Sequence, residues 1–163
     1  MILVIVGTNY FSFDRLIRYC DSVLGKKFKV VIQTGCSKYK CENSEQHSFL
    51  GNDLMQIYLS QADCVIAHGG YGIITECIKR EKRLLVVPRQ KELRECLDDQ
   101  FEIAEYFQSI GVIEVVTDEK LLLQEILIDR NPRLAISAFF AQQNELPLIE
   151  DIVLKEVERY DAQ

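Results

Sequence analysis

The stretch that most limits the fold runs from Cys64 to Glu76. It reads Cys64-Val65-Ile66-Ala67, then His68-Gly69-Gly70-Tyr71-Gly72, then Ile73-Ile74-Thr75-Glu76. An apolar run without polar alternation predicts a strand buried on both faces, as in parallel sheets. The glycine cluster after it marks a tight turn, and Gly72–Arg80 has helical character. A strand that passes through a Gly-rich turn into a helix N-terminus makes an anion site. Backbone N–H groups point outward there, and the missing side chains admit a phosphate. Glu76, about one turn into the helix, is placed to reach a ribose diol. The pattern points to a nucleotide diphosphate, although glycines also make ordinary turns and a strand-end histidine can serve only to shape one. Two familiar loops are excluded. The dinucleotide fingerprint needs G-x-G-x-x-G after the first strand, which here ends Val6-Gly7-Thr8-Asn9-Tyr10. The P-loop needs Gly-Lys followed by Ser or Thr, which the chain lacks.

The rest of the chain repeats the alternation. Strands are predicted at Ile2–Val6, Phe28–Gln33, Cys64–Ala67, Leu84–Val87 and Val112–Val116. Helices are predicted at Phe13–Leu24, Asp53–Ser60 capped by Asn52, Gly72–Arg80, Glu92–Ile110 with a looped start, and Asp118–Ile128 capped by Asp118. Thr34–His47 reads as polar and irregular. The fold class is therefore α/β, a Rossmann-like doubly wound parallel sheet with helices on both faces. Ligands of such sheets sit beyond the carboxyl ends of the strands. The segments Val6-Gly7-Thr8, Gln33-Thr34-Gly35, His68–Gly72 and Pro88-Arg89-Gln90 should converge on that rim. The alternation stops after Asn131-Pro132, so residues 1–130 form one Rossmann-like domain and residues 131–163 a C-terminal helical extension. In that extension Arg133–Asn144 and Ile149–Tyr160 read as helices around Pro147. Leu134, Ile136, Ala138, Phe139 and Phe140 there are too apolar for a free tail, and either pack on the sheet or dock a partner.

With 163 residues, a net charge of -6 and a pI near 5.0, the chain is one domain without the basic stripe of a nucleic-acid surface. The first residues, Met1–Val6, form a short apolar run without a basic region, which reads as a strand rather than an export signal. No apolar run reaches the roughly 20 residues needed to span a bilayer. The cysteines form no C-x-x-C pair, which suits reduced thiols in the cytoplasm. Cys36, Cys41 and His47 leave a zinc site open as a lesser alternative. No D-x-D metal motif occurs, so no cofactor or obligatory metal is expected.

Taken in order, these pieces resemble the C-terminal, donor-binding half of GT-B glycosyltransferases of the family 28 type. They are most similar to the small subunit of split enzymes in that group. Such enzymes include the two-subunit dolichol-linked N-acetylglucosaminyltransferase and paired bacterial exopolysaccharide glycosyltransferases. The resemblance rests on Ile2–Thr8 with Phe13-Asp14-Arg15-Leu16, Ala62-Asp63 leading to His68–Gly72, Thr75-Glu76, Val86-Val87-Pro88-Arg89, and Asp99-Gln100. It implies that Gly7, Thr8, Gly69, Gly70, Tyr71 and Gly72 hold the pyrophosphate through backbone N–H groups. By the same resemblance His68 donates to a phosphate oxygen, Glu76 binds the ribose, Pro88 and Arg89 lie near nucleotide and sugar, and Asp99 and Gln100 read sugar hydroxyls. It departs at Asn9-Tyr10-Phe11, where the small subunits usually carry His-Glu-Gln, and at Arg94–Gln100, which is one residue shorter.

The implied chemistry is inverting transfer of a sugar from a UDP-sugar to a lipid-linked acceptor. No convincing general base is present. The resemblance therefore implies a membrane-associated, acceptor-binding partner subunit that recruits this cytoplasmic chain to the inner face of the membrane. Two other readings stand beside it: a non-catalytic accessory subunit, and a stand-alone nucleotide-binding enzyme such as an epimerase.

Overall fold

The computed structural model describes residues 1–97, 101–128 and 130–143. Asp99, Gln100 and the helix expected at Ile149–Tyr160 lie outside the described residues. Six strands form one parallel sheet: β1 (Ile2–Ile5), β2 (Val30–Gln33), β3 (Glu45–His47), β4 (Cys64–Ala67), β5 (Arg83–Val86) and β6 (Glu114–Val115). Their order is β3-β2-β1-β4-β5-β6. The sheet thus winds outward in both directions from β1, and its topological switch lies between β1 and β4. The helices are α1 (Asp14–Tyr19), α2 (Asn52–Gln61), α3 (Tyr71–Lys79), α4 (Phe101–Ser109), α5 (Leu122–Leu127) and α6 (Arg133–Gln143).

Successive strand residues bury on opposite faces. Leu3, Ile5, Val31, Val65, Ala67, Leu84 and Val86 pack with residues of α2, α3, α4 and α6. Ile2, Val4, Val6, Val30, Ile32, Ile66 and Leu85 pack with α1 and α5. Both faces being covered explains why these strands show apolar runs rather than alternation. Ile136 of α6 is fully buried in the first of these clusters and Phe139 packs against it, while Phe140 is partly exposed. The start of the C-terminal extension therefore packs on the domain.

Three local expectations change. Glu45–His47, within the stretch read as irregular, is an edge strand paired only with β2. Asn52 opens α2 rather than capping it; the cap position is Gly51, and no side chain bonds there. The first predicted helix is α1 followed by a wide π-type turn at Cys20–Leu24. Asp118 caps the short 3-10 turn Glu119–Leu121 that leads into α5, its side chain accepting the Lys120 N–H at 3.0 Å, whereas α5 itself begins at Leu122 without a side-chain cap.

Candidate functional site

The parallel register aligns the strand ends. Ile5 pairs with Gln33 on one side and Ala67 on the other, and Ala67 pairs with Val86. The segments that follow, at Gly7, Thr34, His68 and Val87, therefore meet on one rim. A cleft of about 450 Å³ opens there, lined in part by Gly7, Thr8, His68, Gly70, Gly72 and Glu76. These are six of the residues expected from the sequence.

His68 organises the cleft. Its ring lies between Gly7 and Gly70, and neither position has room for a side chain. A Cβ on Gly7 would fall 2.6 Å from His68 Cε1, and one on Gly70 would fall under 3.0 Å from Nε2. Gly7 also has φ +79, a conformation that L side chains rarely adopt. Gly70 does not: its φ is -74, so only the ring demands a glycine there. Burial pushes the His68 imidazole down to about 4, partly opposed by the Ile5 carbonyl and reinforced by the Arg89 charge. The ring is neutral near pH 7. Its Nδ1 sits 3.4 Å from the Ile5 carbonyl oxygen, which favours a proton on Nδ1 and leaves Nε2 as an acceptor. With the proton on Nδ1, Nε2 accepts a hydrogen bond; with it on Nε2, the ring can donate as expected from the resemblance.

The backbone amides sort into used and free. Gly7 N–H donates to Gln33 Oε1 at 3.0 Å, and Gly70 N–H donates to the His68 carbonyl at 2.8 Å. Neither is open to a ligand in this arrangement. The amides of Thr8 and of the first turn of α3, at Tyr71, Gly72 and Ile73, have no partner among the described residues. These four point to where an anion would sit at the α3 N-terminus.

Glu76 lines the same cleft on α3 and accepts from Arg80 Nε at 2.7 Å. Arg80 holds its carboxyl below the usual range, so it is ionised. Gln56 also bonds this carboxylate, whose two oxygens offer about four lone-pair sites and so keep acceptor capacity beyond both partners. The remaining wall holds Phe49, Leu50, Met55, Gln56 and Ile73, which the sequence reading missed, beside Gln33 from a segment expected at the rim. Phe49 is 66% exposed, an aromatic face presented to the cleft. Gln33 is buried and grips Gly7 on both sides, its Nε2 donating to the Gly7 carbonyl at 2.9 Å and the Ser48 carbonyl at 3.1 Å.

The other expected residues lie elsewhere. Gly69 is buried beneath the turn. The exposed Tyr71 leans toward α4, its ring centroid 6.4 Å from that of Phe107. Pro88 and Arg89 are both buried and do not line the cleft. Arg89, expected near the nucleotide, is 1% exposed and donates to the carbonyls of Val6, Phe11, Ser12 and Glu95. Cys36, exposed, contacts the Tyr10 carbonyl, and His47 is engaged by Glu45 and Tyr58, so the alternative zinc set is not assembled. A second cavity of about 490 Å³ lies at the far edge, between β6, α4 and the start of α6. Its charged residues are already satisfied, Arg130 pairing with Glu114 at 3.2 Å and Glu125 at 3.5 Å. Among the described residues no helix is long and apolar enough to cross a membrane.

Solved structures share this fold. The glycotransferase of kitacinnamycin is 20% identical with a TM-score of 0.63; the match covers 84% of this chain and 37% of that one. SnogD from Streptomyces nogalater is 15% identical with a TM-score of 0.63, over 96% of this chain and 43% of that one. The Streptomyces sp. SF2575 glycosyltransferase SsfS6, complexed with thymidine diphosphate, is 19% identical with a TM-score of 0.59, over 97% and 40%. This chain thus spans about two fifths of the length of these proteins. No curated protein shows a sequence match. The model of the glycosyltransferase family 28 C-terminal domain matches residues 1–145. On that match, and with the sheet and rim it brings, the chain belongs to the glycosyltransferase family 28 C-terminal domain family.

Proposed function

We propose that this chain is the donor-binding part of an inverting glycosyltransferase. It holds a uridine diphosphate sugar in the cleft beside His68, and a membrane-associated second unit presents a lipid-linked acceptor. The observation that carries the reading is the convergence of unused amides, at Thr8 and the first turn of α3, with Glu76 and an apolar wall in one cleft. The amides suit a diphosphate. The ionised Glu76 suits ribose hydroxyls, and Phe49 with Leu50 and Met55 suits the flat face of a pyrimidine. The crystallisation of SsfS6 with thymidine diphosphate supports the same ligand class.

In the reaction an acceptor hydroxyl attacks the anomeric carbon. The bond from that carbon to the phosphate oxygen breaks, and the nucleotide diphosphate leaves with the electron pair. The free amides and the α3 dipole meet the growing negative charge. A base must take the acceptor proton, and the proposal gives that role to the second unit. It assigns no metal to the leaving group, so chelators should leave donor binding unchanged.

Amide shift mapping with uridine diphosphate tests the site. Perturbations should centre on Thr8, Gly69–Ile73 and the Phe49–Met55 wall. Perturbations centred on the far cavity around Arg130 would overturn it. Sugar transfer to a lipid-linked acceptor tests the division of labour: the isolated chain should show none, and robust turnover by the chain alone would refute the need for a second unit.

A further inference from the structure

Three charged side chains lie under the rim without lining the cleft. Arg89 donates from Nη1 to the carbonyls of Phe11 at 3.0 Å, Ser12 at 3.3 Å and Glu95 at 2.8 Å, and from Nη2 to Val6 at 2.8 Å. Its guanidinium stacks 4.7 Å over the Phe13 ring. Arg15 grips the Glu95 carboxylate with Nε at 2.8 Å and Nη2 at 3.1 Å, and also reaches the Pro88 carbonyl at 3.0 Å and Glu119 at 2.7 Å. Glu95 in turn accepts the Gln90 N–H at 3.1 Å. Each end of the 88–97 loop is thereby tied to α1 and to the loop that precedes it.

The β1–α1 loop depends on this arrangement. Gln33 clamps it at Gly7. Beyond Gly7 it is held by a turn from Asn9 to Phe11, a contact from Cys36 to the Tyr10 carbonyl, and the two bonds from Arg89. Tyr10 is otherwise 95% exposed. Burying a guanidinium and a carboxylate costs free energy that hydrogen bonding must offset, and Arg89 Nε stays without a partner among the described residues; ordinary turns would hold a surface loop without that cost. The loop carries Thr8, whose amide has no partner among the described residues and which lines the cleft together with Gly72 and Ile73 of α3.

We propose that Arg89, Arg15 and Glu95 are positioning residues for phosphate binding. They set the spacing between the Thr8 loop and the first turn of α3, while the Phe49–Met55 wall packs through Leu50 and Met55 into the sheet cluster with α2 and is tied through Ser48 to Gln33 rather than to these three side chains. This inference rests on the nucleotide reading above and adds to it a division of the cleft into a braced phosphate side and an unbraced base side.

Paired titrations with uridine diphosphate and uridine test it, using the unaltered chain, Arg89→Lys, Glu95→Gln and Arg15→Lys. Lysine keeps the charge but cannot fork across several carbonyls. Affinity for uridine diphosphate should fall about tenfold or more in Arg89→Lys and Glu95→Gln, the loss expected from misplaced charge-assisted hydrogen bonds. Affinity for uridine should hold, and Arg15→Lys, which can still pair with Glu95, should lose less. If Arg89→Lys does not fold, Glu95→Gln, nearly isosteric, carries the comparison. Equal loss of both ligands, or loss of neither, overturns the positioning role and leaves the nucleotide reading standing. Failure of the unaltered chain to bind uridine diphosphate removes that reading and this inference with it.

Discussion

His68 Nδ1 faces the carbonyl oxygen of Ile5 at 3.4 Å, and the ring is half-buried beside it. Burial is the main reason the imidazole is pushed down to about 4, below the ordinary value of roughly 6.5. Between those values the unfolded chain takes up a proton that the folded chain refuses. Stability from this group is therefore complete above the unfolded value and is lost as pH falls toward the folded one. The loss should approach about 1.4 kcal/mol per pH unit. Denaturant unfolding at pH 7, 6 and 5 should show a shallower decline for His68→Gln than for the parent. Parallel declines would contradict the burial of a neutral ring.

Gly7 and Gly70 yield to the same ring for different reasons, and this separates two variants. Gly70→Ala meets only the His68 side chain and should destabilise by about 1–3 kcal/mol, as overpacking does. Most of that loss should vanish when the change is made in a His68→Ala background. Gly7→Ala also meets a positive φ, so removing the ring should leave most of its cost in place. Unfolding cycles on the three single and two double variants give both interaction energies. Equal rescue at the two positions would contradict the backbone argument.

Glu76 pairs with Arg80 one turn along α3, on the surface, where such a pair adds only a few tenths of a kcal/mol. Glu76→Ala should thus change folding stability little. It should weaken uridine diphosphate binding by about 1–3 kcal/mol and abolish any preference over the 2′-deoxy nucleotide. An unchanged preference for ribose would give that role to another residue.

The α6 helix is expected to behave as core at one position and as surface at another. Ile136→Ala should cost about 2–4 kcal/mol, because the side chain is fully buried against the sheet cluster. Phe140→Ser, at a residue 38% exposed, should cost much less. Comparable losses at both positions would show that the outer face of α6 is covered.

What could be read in advance follows physical lines. β1, β2, β4 and β5 announce themselves because a strand buried on both faces must be apolar throughout. β3 does not, because an edge strand of Glu45, Gln46 and His47 pairs on one side only and can remain polar. The glycine turn and the place of Glu76 on the following helix were legible because a buried strand, a glycine cluster and a helix start follow one another at short spacing. The Phe49–Met55 wall was not, since an exposed aromatic before a short helix carries no local signal and joins His68 only through the fold. Arg89 misled for a related reason: a charged residue after a strand end suggests a ligand, whereas its partners are backbone carbonyls from distant loops, which no composition reveals. Similarly, Gly7 looked like an amide donor until Gln33, distant in sequence, proved to occupy it.

The central claim is that the cleft beside His68 selects a uridine diphosphate group. Titration calorimetry of the whole chain with uridine, adenosine and guanosine diphosphates, with and without a chelator, tests it most directly. The account predicts a clear preference for the uridine ligand, unaffected by chelation and weakened in Glu76→Ala. Equal binding of all three nucleotides, or binding of none, would contradict it.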